Sequence, residues 1–124
     1  MLAVFLNQRR PAVLRFQLPQ FRLLFGLCAL TVLVLALLPP SVPEPTTGWD
    51  KANHMLAFGM LAILGTRAWP GRAWHVVAGL MAYGALIEVL QSMTTYRDAS
   101  WADLLADAIG IALGLVLSYR PIRA

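Results

Sequence analysis

The chain has 124 residues, room for one domain, and 59% of them are hydrophobic against 13% charged. A water-soluble domain carries about a quarter charged residues, so this balance excludes an ordinary soluble globule and points to a membrane protein. The net charge of +4 comes from ten Lys and Arg dispersed between apolar runs, which argues against nucleic acid as a partner, and the lone Cys28 excludes an internal disulfide or a thiolate metal cluster.

Residues 1–22 carry Arg9, Arg10, Arg15 and Arg22 among Leu, Val and Phe, interrupted by Pro11 and Pro19. This reads as a basic segment lying on the membrane surface, or as unstructured chain, with the prolines preventing one continuous helix. Residues 23–120 then read as a single four-span membrane domain. Leu23 to Pro40 is free of charge. It is long for a secretory signal and is followed by no small-residue cleavage pattern, so a first membrane helix is expected. Pro39, Pro40, Pro43 and Pro45 end it and stiffen a loop that exposes Glu44.

Ala52 to Thr66 is uncharged between Lys51 and Arg67, and Pro70-Gly71 marks a tight turn. Ala73 to Ile87 is uncharged up to Glu88. Ala108 to Tyr119 is too short to cross a hydrocarbon core of about 30 Å. It spans only if its helix begins near Trp101 and carries Asp103 and Asp107 into or near the membrane. The expected fold is all-α, a four-helix transmembrane bundle with helices near 22–39, 50–69, 72–93 and 100–119. Trp49, Trp69, Trp74, Trp101 and Tyr119 all fall at span boundaries, where amphipathic rings favour the headgroup level. Arginines concentrate in the N-terminal segment, in the turn with Arg67 and Arg72, and in the tail with Arg120 and Arg123. Positive-inside counting therefore puts both termini in the cytoplasm and the other two loops outside.

That orientation gathers the polar residues in the outer half. On α-helical spacing of about 100° per residue, Asp103, Asp107, Gly110 and Gly114 share a stripe on the fourth span, with Ser100 at its margin. Gly84, Glu88 and Gln91 share a face on the third, and His54, Phe58, Leu61 and Gly65 on the second. Gly110 and Gly114 let another helix approach closely, which brings the carboxylates against a neighbour instead of lipid. The candidate polar site is Asp50, Lys51, His54, Glu88, Gln91, Arg97, Ser100, Asp103 and Asp107, with Gly84, Gly110 and Gly114 as packing positions. Arg97 is expected to pair with Glu88 or Asp103, and Lys51 with another carboxylate. Such pairs serve equally as structural glue between helices or as a working site. Cys28 reads as a packing residue, His75 as interfacial, and Asp98 as solvated.

The ordered set Asp50-Lys51-x-x-His54, Phe58, Glu88-x-x-Gln91 and Arg97-x-x-Ser100-x-x-Asp103-x-x-x-Asp107-x-x-Gly110-x-x-x-Gly114 resembles the VanZ-like family of bacterial membrane proteins. One position departs from that pattern: Asp107 stands where Asn is usual, adding a carboxylate. The family's namesake is linked to low-level resistance to the glycopeptide teicoplanin. The resemblance implies a multi-pass protein of the bacterial inner membrane concerned with the envelope, and it supplies no reaction.

Three functions compete. The first is a binding or accessory protein whose outward pocket engages membrane lipid, a lipid-linked envelope precursor, a lipoglycopeptide or a partner protein. The second is an intramembrane enzyme with Glu88 or Asp103 as base, His54 as acid–base partner, and Lys51 or Arg97 holding a phosphate or oxyanion. The third is a proton-coupled carrier, which four spans would form only as a homo-oligomer. No nucleophile motif, cofactor motif or metal motif stands in the chain. Enzyme chemistry thus ranks behind binding. No cofactor is expected, and a metal is set aside because Lys51 and Arg97 would compete for the same carboxylates.

Overall fold

A computed structural model describes residues 12–39, 41–43 and 47–119, with side chains described from residue 17 onward. Arg9, Arg10, Pro11, Pro40, Glu44, Pro45, Arg120 and Arg123, and the side chain of Arg15, lie outside the described residues. The described chain is all helical: α1 (Ala12–Leu37), α2 (Asp50–Ala68), α3 (Ala73–Ser92) and α4 (Trp101–Ser118). The last three match their expected bounds to within a residue.

The first helix does not. It starts at Ala12 and runs through Pro19, correcting the expectation of a break there. Proline removes the bond to the carbonyl four residues back, but only one bond, and the long apolar run behind it propagates helix cooperatively. The other end obeys the local rule: α1 stops at Leu37, because Leu38 precedes Pro39 and is steered away from helical geometry.

Each later boundary has its cause in the sequence. α2 carries Asp50 in its first turn and Arg67 in its last, both favourable to the helix dipole. Thr47 ties down its entrance, donating N–H and Oγ1–H to Asn53 Oδ1 at 2.9 and 2.7 Å. Gly71 turns the chain into α3 with φ 78°, a left-handed conformation glycine adopts at little cost. Ser100 caps α4, its side chain accepting from the Ala102 N–H at 3.2 Å.

Contacts fix the topology as up-down-up-down. Arg22 in the first half of α1 donates to the Ala68 carbonyl at the end of α2, and its guanidinium lies 5.6 Å over the Trp69 ring. Tyr83 donates to Ala29 O and Gln91 to Ala36 O, so α3 runs parallel to α1. Lys51 meets Asp103 and His54 meets Asp107, so α2 runs parallel to α4. One end of the bundle therefore collects the end of α1, the start of α2, the end of α3 and the start of α4.

α1 (over Gln17–Leu37), α3 and α4 are long and apolar enough to cross a membrane, with mean hydropathies of 2.1, 1.5 and 1.7. α2 is the more polar helix, and its position explains why it can be. It packs against all three others, most extensively against α4. A helix surrounded by protein shows less of itself to lipid and can carry Asp50, Lys51 and His54. The outer surface is apolar, with Leu27, Leu30, Leu56, Val89, Leu113 and Val116 all exposed. Glu88, Gln91, Asp103 and Asp107 are buried. Grease outside and carboxylates inside is the distribution a bilayer selects.

Candidate functional site

The three polar faces drawn from spacing do meet. α4 buries Asp103, Asp107, Gly110 and Gly114 on one stripe. At a rise of about 1.5 Å per residue, Asp107 lies roughly 9 Å below Trp101. α3 buries Gly84, Glu88 and Gln91, and α2 buries Phe58, Leu61 and Gly65 with His54 largely covered.

The seam that brings them together is made of glycines. A Cβ at Gly110 would lie 2.8 Å from Met55 Cα, and one at Gly114 would lie 2.8 Å from Ala62 Cβ. Only glycine permits this approach of α4 to α2. Gly84 plays the same part on α3, where a Cβ would sit 2.8 Å from Asp107 Oδ2. Gly59 completes the seam against Gly110 O, at 3.2 Å from its own would-be Cβ.

Within the seam, Lys51 Nζ donates to Asp103 Oδ1 and lies 3.8 Å from Asp50 Oδ2. The expected Lys51–carboxylate pair is thus present. His54 Nδ1 is 2.7 Å from Asp107 Oδ1. Its Nε2 faces Asp103 Oδ2 at 3.7 Å and Asp50 Oδ2 at 3.9 Å. Glu88 Oε2 accepts the Ser100 N–H at 2.8 Å, tying the end of α3 to the cap of α4. Glu88 Oε1, Gln91 Oε1 and Asp107 Oδ2 are buried without a hydrogen-bond partner.

Arg97 goes elsewhere. Its Nε and Nη2 donate to Leu38 O at 3.0 and 2.8 Å, and Nη2 reaches Leu35 O at 3.4 Å. The expected pairing with Glu88 or Asp103 is replaced by these bonds, since Glu88 is taken by Ser100 and Asp103 by Lys51. The physical reason lies at the end of α1, whose last carbonyls have no helical partner and offer a guanidinium fork ready acceptors.

A family model described as VanZ/LLP1 matches residues 2–122. The chain belongs to the VanZ/LLP1 family. No curated protein and no solved structure matches it. In this VanZ/LLP1 chain most of the ordered motif residues from Asp50 to Gly114 fall on the α2–α3–α4 contact, while Gln91 and Arg97 bond to carbonyls at the end of α1 and just after it.

One member of the cluster, Glu88, borders a cleft. The cleft, of about 300 Å³, opens between α3 and α4, lined by Ala85, Glu88, Val89, Ser100, Trp101 and Leu104 among others. Its wall residues Val89 and Trp101 are exposed on the apolar surface, and Glu88 is buried at its inner side. The site is rich in acceptors: four carboxylates are met by one ammonium and one imidazole. Such a site takes a cation or a group bearing N–H or O–H donors. Cys28 packs against the core as expected, while His75 and Asp98 are exposed. Gly59 was not among the sequence candidates, although its position four residues before Ile63 and six before Gly65 left no polar neighbour to flag it. The Thr47–Asn53 clasp and the Tyr96 hydroxyl on Leu37 O, at 2.9 Å, carry no sequence signal either.

Proposed function

We propose that this is a multi-pass protein of the bacterial inner membrane with both termini in the cytoplasm, whose polar cluster faces outward and binds the head of an amphiphilic envelope molecule. The role is binding or accessory. Support comes foremost from Glu88, a buried carboxylate that lines a cleft beside the exposed apolar Val89 and Trp101 and keeps one oxygen without a hydrogen bond. A tail can stay in lipid along Val89 and Trp101 while a donor-bearing head reaches Glu88. Lipid-linked envelope precursors and lipoglycopeptides share that architecture. Given the family, teicoplanin is the first probe.

The test compares teicoplanin tolerance of cells expressing the protein with its melting in detergent. Glu88→Gln should lower tolerance while the melt stays near wild type. If tolerance falls only where the melt falls, the cluster is structural glue and the binding reading fails.

A second reading, an intramembrane enzyme, draws on one observation. The Asp107 carboxylate at 2.7 Å orients the His54 ring as a carboxylate orients a catalytic imidazole. Turnover of a lipid-linked substrate by the purified protein, abolished by His54→Gln, would favour it over binding.

A further inference from the structure

We propose that His54, Glu88 and Asp107 hold one divalent transition-metal ion, with zinc as its representative, between α2, α3 and α4. Each of the three offers a ligand atom, and these atoms lie within 4.8 Å of one another. Zinc bonds of about 2.0–2.2 Å put tetrahedral ligand atoms roughly 3.4 Å apart, inside that limit, and His54 Nδ1 would exchange its contact with Asp107 Oδ1 for the ion.

The independent sign of a ligand is the pair of unbonded oxygens. Glu88 Oε1 and Asp107 Oδ2 have no donor, in side chains of residues only 8% and 0% exposed. Asp107 Oδ2 points across to α3 at Gly84, one turn before Glu88. Buried carboxylate oxygens left without donors are rare, and a cation between them satisfies both at once.

Charge separates this inner group from the outer one. Asp50 and Asp103 also face His54, but Lys51 already supplies their cation. The inner carboxylates are met differently: Asp107 by His54 and Glu88 by a backbone N–H, while the Lys51 ammonium bonds to Asp103. A metal was set aside on sequence because Lys51 and Arg97 would compete. In the folded chain Lys51 is taken up by the outer pair, and Arg97 bonds to the carbonyls of Leu35 and Leu38 at the end of α1 and just after it.

The donor set indicates the class of ion. One imidazole and two carboxylates suit zinc, manganese or ferrous iron better than magnesium or calcium, which prefer oxygen alone. Three protein ligands also leave a coordination position, so that a hydroxyl of the ligand head would reach Glu88 through the ion, its oxygen taking that position. The inference rests on the cluster being a working site, as proposed above, yet it is tested without reference to tolerance.

The experiment uses full-length protein in detergent, freed of any affinity tag, stripped with chelator and titrated calorimetrically with zinc. One ion per chain is expected, with affinity at least about tenfold weaker in Glu88→Gln and in Asp107→Asn. Asp98→Asn, in an exposed loop, should bind as wild type does. Failure of the wild type to take up zinc stoichiometrically overturns the proposal, as does unchanged affinity in both site variants. If the wild type binds no metal but Glu88→Gln still loses tolerance at an unchanged melt, the metal is refuted and the ligand site stands.

Discussion

At Asp107 a carboxylate with 0% exposure keeps one oxygen on His54 at 2.7 Å and leaves the other without a donor. An unsatisfied buried acceptor costs about 1–3 kcal/mol. Asp107→Asn can preserve the acceptor for His54 and turn an amide donor toward the Glu88 side. In chelator-stripped protein that variant should melt at or above wild type, whereas Asp107→Ala should melt below it. A melt of Asp107→Asn well below wild type would contradict this account of the site. The pair itself is tested by a double-mutant cycle on His54→Gln and Asp107→Ala, with a coupling of about 0.5–3 kcal/mol expected; strict additivity would dissolve the pair. Arg97 shows where residue-level reading stopped. It was an available cation for the carboxylates at the same end, which suggested an ion pair with Glu88 or Asp103, but the carbonyls of Leu35, in α1, and Leu38, just after it, lie 59 or more residues away and have no signature in sequence. Arg97→Lys should therefore lower the melt, because an ammonium cannot reproduce the bonds that Nε and Nη2 make together.

Between elements, the fold turns on how closely α4 approaches α2. Gly110 meets the backbone of Met55, which cannot move aside, while the closest atom to a Cβ at Gly59 is 3.2 Å away. Gly110→Ala should cost about 1–3 kcal/mol, Gly110→Leu more, and Gly59→Ala less than either. Detergent melting reads the order, and equal melts for Gly59→Ala and Gly110→Ala would show that the seam is looser than described. This stripe was legible because helical periodicity alone places Asp103, Asp107, Gly110 and Gly114 together, and the fold buried all four. Periodicity also gave the facing stripes of α2 and α3. It could not give Gly59, which lies about 100° round the helix from Phe58 and off the polar face. The start of α1 was misread for a different reason: the proline rule is local, whereas helix propagation from the apolar run past Pro19 is not.

On the scale of the molecule, apolar side chains cover the outside and the carboxylates converge inside at one end. Three of the helices are long and apolar enough to cross a bilayer, the last of them only because it begins at Trp101 and takes in Asp103 and Asp107. The fourth, α2, was identified by its flanking charges, and its polarity makes sense only once it is seen at the centre of the bundle. Sequence could also say which residues share an end, but not which cation meets which carboxylate, since residues within a turn of that end look alike on a helical projection. The proposed orientation rests on the distribution of the arginines. Reporters that work only in the periplasm should be active when fused in the loop at residues 93–100 and silent after Tyr119, and the reverse result would turn the site inward. The central claim is that the cleft between α3 and α4 leads an amphiphile from the lipid to the buried carboxylates. Its most direct test is a photoreactive residue placed at Ala99, in the cleft wall, and compared with one at Leu113, on the exposed apolar face of α4. After irradiation of native membranes, mass spectrometry should find an envelope amphiphile enriched on the Ala99 probe, absent from the Leu113 probe, and lost when Glu88→Gln is added. The same bulk phospholipids on both probes, unchanged by Glu88→Gln, would contradict the account.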